Sequence, residues 1–255
     1  GDKRVGAVTG ELRYLHAGPD DSVSQGTGLY WWYENKIKEL ESRIGSVLVG
    51  AGPLLAVRRE RCSELYPDVA NDFQQPMQVA AAEDSVLYSS KFYGSERAAS
   101  DMQDEYRRTV RIVARGVCGF RRLWLTVLIR PLRFWQLLSH KVMRWLILPI
   151  LALLLLSNLA LVQESPSLFY RTILDFQYVF YAVAALGYVL HLFDFRTGPL
   201  YVPFHFLMLN AAALVGVCRG LFVGAPSIWT KAASARDLPS GNREAKRTRR
   251  RRGIH

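Results

Sequence analysis

The segment that most restricts this chain is Leu146 to Val162, seventeen residues without a charged side chain, preceded by Trp145. With Met143 and Trp145 it approaches the roughly 20 residues a helix needs to cross the hydrocarbon layer. Pro149 falls in its first turn, where a missing N–H is tolerated, and Gln163-Glu164-Ser165-Pro166 ends it. Soluble core helices are seldom apolar on every side for this length. A second candidate, 173–193, holds Asp175 and His191 near its ends with Tyr178, Tyr181 and Tyr188 between. A third, 201–223, holds His205, Asn210 and Arg219. Such polar groups are expected to face protein or the headgroup layer. Gly216 and Gly220 permit close helix contact.

Charge makes the topology a problem. The 255 residues carry 33 Lys+Arg against 22 Asp+Glu, a net +11, and half are hydrophobic, which excludes a disordered chain. Residues 97–144 hold eleven Lys/Arg and three acids, so the positive-inside rule puts residues 1–144 in the cytoplasm, at an inner or plasma membrane. Three crossings then put the C-terminus outside. Residues 236–255, with eight Lys/Arg and two acids, favour the inside. Either one of the last two segments is re-entrant or flat, or the basic tail is tolerated outside; composition leaves both open.

Between Arg121 and Arg144, Trp124, Phe134, Trp135 and several leucines alternate with arginines, and Pro131 divides the stretch. This predicts two short amphipathic helices in the headgroup layer, with anionic lipid rather than nucleic acid as partner. The expected organisation is 1–118, an α/β region of soluble type; 119–144, interfacial helices; 145–224, membrane helices; and 225–255, a disordered basic tail. Cys62, Cys118 and Cys218 lie far apart, support no disulfide framework or zinc site, and read as buried small hydrophobes.

The first hundred residues read as mixed α/β. Val5–Val8 is a strand that continues through Glu11–Tyr14, and 17–27 is a loop. Leu29, Tyr30, Tyr33, Ile37, Leu40 and Ile44 recur at helical spacing up to Gly45. Val47–Val49 and Leu54–Arg59 read as strands joined by Gly50-Ala51-Gly52-Pro53, either a tight hairpin or a place where backbone approaches a ligand. A helix begins near Asn71-Asp72-Phe73, where Asp72 reads as the cap at an N-terminus that favours an anion. Val86–Tyr88 is a short strand and Phe92–Glu96 a loop. Arg108, Arg111 and Arg115 line one face of a basic helix, which calls for an anion opposite: a diphosphate, a lipid phosphate or acidic side chains.

The order of these segments resembles the C-terminal half of membrane-embedded family 2 glycosyltransferases, which make polysaccharides and glycolipids. Asn71-Asp72-Phe73 is similar to the family's acidic segment, Tyr88 through Glu96 to the stretch before its basic motif, and Arg107–Arg111 to that motif. Ser139-His140-Lys141-Val142-Met143-Arg144-Trp145 resembles the link from catalytic domain to membrane helices, and Trp229-Thr230-Lys231 a tail motif. Gly52-Pro53 departs from the family's usual acceptor loop. Arg108, Arg111 and Ile112 replace the Gln-x-x-Arg-Trp of highly processive members, and no Asp-x-Asp is present.

The resemblance implies a partial GT-A-like domain followed by interfacial helices and a membrane bundle. It further implies that the chain begins inside a domain, lacks the donor-binding half and is inactive alone. In the implied reaction Asp72 is the general base, and Arg108, Arg111 and Glu96 serve diphosphate and acceptor. Gly50, Gly52 and Glu34 form the acceptor side, and Ser139, His140, Lys141, Arg144 and Trp145 the membrane junction. Trp31, Trp32 or Trp145 are candidates to stack on sugar or lipid. The partners are a UDP- or GDP-sugar and a lipid-linked or polysaccharide acceptor. A divalent cation, Mg or Mn, is expected in the full-length enzyme and on none of the residues identified here. A non-catalytic assembly subunit and a small transporter are the competing readings.

Overall fold

The computed structural model describes residues 2–15, 22–97, 102–165, 167–193 and 200–225. The predicted basic tail, Trp229–Lys231 and the Trp31 side chain lie outside the described residues. In chain order the elements are β1 (Val5–Leu15), α1 (Ser22–Ile44), β2 (Leu55–Val57), α2 (Asn71–Ala81), β3 (Ser85–Arg97) and α3 (Met102–Leu128), then α4 (Pro131–Leu137), α5 (Met143–Trp145), α6 (Ile147–Glu164), α7 (Leu168–Leu192) and α8 (Tyr201–Phe222). The fold is mostly helical around a small three-stranded sheet.

The sheet order is β2-β1-β3, with β2 antiparallel and β3 parallel to the central β1. Three sequence expectations change here. Val47–Val49 is not a strand: Val47 N–H donates to Val86 O at 2.9 Å, and buried Val47 and Leu48 plug the core. β2 therefore pairs with β1, and no Val47–Arg59 hairpin forms. Phe92–Glu96 belongs to β3, whose register against β1 jumps between Gly10↔Ser89 and Glu11↔Tyr93. Gly10 permits that irregularity, since a Cβ there would lie 2.3 Å from the Phe92 carbonyl oxygen. Helix α1 starts at Ser22, so residues 22–27 are helical and not loop; once nucleated, a helix gains one hydrogen bond per residue added.

Helix α1 is turned against its own hydrophobic pattern. Tyr33, Leu40 and Ile44 face outward, whereas Glu34, Lys38 and Glu41 are buried at 4, 4 and 7 % exposure. That face is buried because the cationic α4–α5 segment packs opposite it.

Helix α3 runs unbroken through residue 118, so the predicted boundary at 118–119 falls inside a helix. Its Cys118, Leu123 and Val127 meet Leu48, Val69, Phe73, Met77 and Leu137 in the largest core cluster. Pro131 opens α4 at a position where its absent N–H has no intrahelical acceptor to lose. Cys118 is buried as expected; Cys62 and Cys218 are exposed, and all three are free. Helices α6, α7 and α8, with 18, 25 and 22 residues, are long and apolar enough to cross a membrane.

Candidate functional site

Asp72 lies in the first turn of α2, two residues after the N-cap Ala70, so it is not the cap. Pro76 inside α2 has no N–H for the carbonyl four residues back, which is that of Asp72. Gly50 takes up this acceptor, its N–H donating to Asp72 O at 2.8 Å. The glycine loop is thereby laid over the carboxylate: a Cβ on Gly52 would sit 3.3 Å from Asp72 Oδ2.

Thr9, fully buried on β1, holds the loop from beneath. Its Oγ1 accepts from Ala51 N–H at 2.8 Å and donates to Leu54 O at 3.3 Å. The tight hairpin does not form, and within this structure the group that the Gly50–Gly52 backbone approaches is Asp72. Nothing in the local sequence marks Thr9, which looks like any strand threonine.

Burial pushes the Asp72 carboxyl above its ordinary range, while the Lys141 and Lys38 ammonium groups pull it back toward the ionised form. Asp72 nonetheless retains some solvent exposure. A carboxylate stripped of most of its hydration, flanked by cations and reachable from outside, is suited to accept a proton.

The junction motif meets α1 through charge. Arg144 pairs with Glu34 at 2.7 Å, Lys141 with Glu34 at 3.5 Å, and His140 Nδ1 with Glu41 Oε1 at 2.5 Å. Burial raises the Glu34 carboxyl, but Lys141, Arg144 and Lys38 outweigh it and hold the group far below the usual carboxylate range. Lys38 is lowered, by burial first, with Glu34 opposing. The cleft among these side chains encloses only about 10 Å³, room for no more than about one water. It is a packed ionic joint and not a substrate pocket. Glu34 thus belongs to this joint, beside rather than on the glycine loop.

Helix α3 binds the Asp72 segment and the junction to one another. A Cβ on Gly116 would lie 2.8 Å from the Trp145 ring, and one on Gly119 2.7 Å from that of Phe73. Arg115 donates to Val69 O at 2.6 Å, fixing the turn before Asp72. Trp145 is therefore a packing residue in this structure, and Ser139 bonds back to Trp135 O at 2.7 Å. Trp32 is 65 % exposed. Arg108 faces Glu96 at 3.3 Å, supplying an acidic side chain opposite the basic face. Arg111 is lowered by burial and by Arg108 and Arg115. The Arg115 guanidinium acts on the turn before Asp72 and, through its charge, on the Asp72 carboxyl.

Among the described residues no three His, Cys, Asp or Glu side chains converge as metal ligands. No protein-family model matches the chain, and no curated protein is similar to it at a significant level.

Proposed function

We propose that the chain forms the acceptor-side part of a membrane glycosyltransferase in which Asp72 is the general base. The observation that carries this reading is the desolvated Asp72 carboxylate beneath a glycine loop, poised between Lys38 and Lys141. Those cations keep it ionised before reaction, and burial makes it a stronger base than an exposed aspartate. In the transfer, an acceptor hydroxyl gives its proton to an Asp72 carboxylate oxygen as its own oxygen bonds to the anomeric carbon. The bond from that carbon to the diphosphate breaks on the opposite face, the diphosphate leaving with the electron pair.

A departing diphosphate gathers negative charge and needs fixed cations. Arg108 and Arg111 are assigned to it on the resemblance, Arg108 exchanging Glu96 for the leaving group. The donor is a UDP- or GDP-sugar. A lipid-linked or polysaccharide acceptor suits a site joined by the Glu34–Arg144 contact to apolar helices. Leu125, Leu128, Ile129, Leu132 and Trp135 are exposed beside Arg130 and Arg133, which suits contact with anionic lipid on the cytoplasmic side.

The test is incorporation of label from a radiolabelled nucleotide sugar by membranes containing the native gene product, its intact mass measured in the same preparation. Asp72→Asn is expected to lower incorporation by about 10²–10⁴-fold, the usual contribution of a general base, with nucleotide-sugar binding unchanged. Full incorporation by Asp72→Asn removes Asp72 as base. No incorporation by the native protein leaves the non-catalytic assembly subunit as the better account.

A further inference from the structure

Helix α8 is apolar enough to cross a membrane, yet its neighbour is α3, which belongs to the globular part. The two run side by side from end to end. At one end His205 Nε2 meets Glu105 Oε2 at 2.9 Å, both side chains largely buried. In the middle, Val113, Val117 and Ala213 form a core cluster. Cβ atoms on Gly216 and Gly220 would lie 2.8 Å from Val113 Cβ and 2.7 Å from Val117 Cβ. At the far end Arg121 donates to Gly220 O at 3.3 Å and Leu221 O at 3.1 Å, satisfying carbonyls that a helix terminus leaves open.

Helix α3 cannot lie in hydrocarbon. It carries Arg107, Arg108, Arg111, Arg115, Arg121 and Arg122, and it supports the Asp72 turn through Arg115. Arginine within the hydrocarbon is strongly unfavourable. A helix that touches α3 from His205 to Leu221 spends about 24 Å of its length, at 1.5 Å per residue, outside the hydrocarbon. That leaves too little to span a layer about 30 Å thick.

The hairpin of α6 and α7 behaves differently. Asn158 donates to Gln177 at 3.1 Å across it, so two polar groups at the contact between the helices partner each other. Most of its surface is apolar and uncovered. Helix α8 meets α7 through Phe180–Phe206 and Tyr188–Phe204, at the C-terminal half of α7 and the start of α8.

We infer that α6 and α7 are the membrane-crossing pair, and that α8 is docked on α3 on the side of the globular region. The C-terminus then returns to the side of residues 2–144. This resolves the conflict in the charge pattern, because the net +6 of residues 236–255 and the eleven Lys/Arg of 97–144 share one face of the membrane. The assignment does not depend on the reaction the protein performs.

The test uses sealed membrane vesicles of known orientation, a membrane-impermeant maleimide and the full chain with one accessible cysteine at a time. The positions are native Cys62, Ser165→Cys between α6 and α7, and Ser240→Cys near the C-terminus, each scaled to labelling after detergent. Cys62 and Ser240→Cys are expected to label from one side and Ser165→Cys from the other. Labelling of Ser240→Cys together with Ser165→Cys means three crossings and overturns the assignment. Labelling of all three from one side overturns it as well, since the hairpin then does not cross. Docking is read separately by oxidising Val113→Cys/Gly216→Cys in membranes. Their Cβ positions, 2.8 Å apart, need only a small widening to reach the roughly 3.8 Å of a disulfide. Cross-linking is expected, and its absence removes the α3–α8 contact on which the inference stands.

Discussion

The globular region and the α6–α7 hairpin reverse the usual distribution of residues in opposite ways. The first buries Glu34, Lys38 and Glu41 and turns Tyr33 and Ile44 outward. The second leaves Leu153, Leu156, Phe169 and Phe176 about two-thirds exposed. In the hairpin the cause is the solvent: lipid makes an apolar surface the unstrained one. In the globular region the cause is pairing, since a buried ion is tolerated where opposite charge and hydrogen bonds replace its water. Outward leucines mark what surrounds a helix, and inward ions mark what it is fastened to.

The sharpest way to break this comparison is Glu34→Gln set against Leu156→Gln. The first leaves Lys38, Lys141 and Arg144 without their central anion and is expected to cost about 3–5 kcal/mol, as for other broken buried pairs. In a thermal melt in detergent that is a fall of roughly 10 °C. Leu156→Gln should leave the midpoint where it was and lower only the membrane-inserted yield. Because Glu34 titrates far below its unfolded value, its contribution is full above about pH 4.3 and is lost as pH falls below that. The Gln variant should therefore melt with less acid sensitivity than the parent. Equal midpoints for the two variants at neutral pH would mean the ionic joint is only a surface feature.

Gly116→Ala tests the packing that joins the junction to α3. With the new methyl 2.8 Å from the Trp145 ring, overpacking of about 1–3 kcal/mol is expected, together with a red-shifted tryptophan emission. An unchanged melt would place Trp145 elsewhere.

Asp72→Asn is expected to stabilise the protein while lowering the proposed transfer by about 10²–10⁴-fold. The folded Asp72 holds its proton more tightly than the unfolded one, so ionisation costs stability as pH rises from about 3.9 through the folded value. Asparagine escapes that cost above this window and has no advantage below it. A destabilised Asp72→Asn at pH 7 would show the charge itself to be structural.

The smallest effect belongs to the hairpin. Asn158→Leu removes one partner of the Asn158–Gln177 bond and should cost about 0.6 kcal/mol, read from detergent-induced dissociation of an α6–α7 cross-link. A cost as large as that of Glu34→Gln would erase the contrast between the two regions.

Much of this architecture is legible from local pattern. An unbroken apolar run, helical spacing before Gly45 and a proline at residue 131 each act over a few residues, and α6, the Leu29–Ile44 part of α1 and the start of α4 form where they indicate. The position of Asp72 near a helix start is likewise local. Boundaries fared less well wherever backbone pairing was nonlocal: β3 extends through Phe92–Arg97 because β1 supplies partners, and Val47–Val49 fails as a strand because its neighbour offers it one bond.

Which faces meet is set by the folded chain as a whole. Periodicity identified α1 as a helix, yet the side it buries is charged, because His140, Lys141 and Arg144, about a hundred residues later, lie against it. Thr9 gains its role from a loop more than 40 residues away, and Pro76 matters only because Gly50 takes the carbonyl it releases. The length and apolarity of α8 permit a crossing, and its contact with an arginine-rich helix opposes one. Secondary structure follows from short-range sterics and hydrogen bonding written into consecutive residues. The environment of a charge, and so the chemistry of Asp72, depends on groups that become neighbours only when the chain folds.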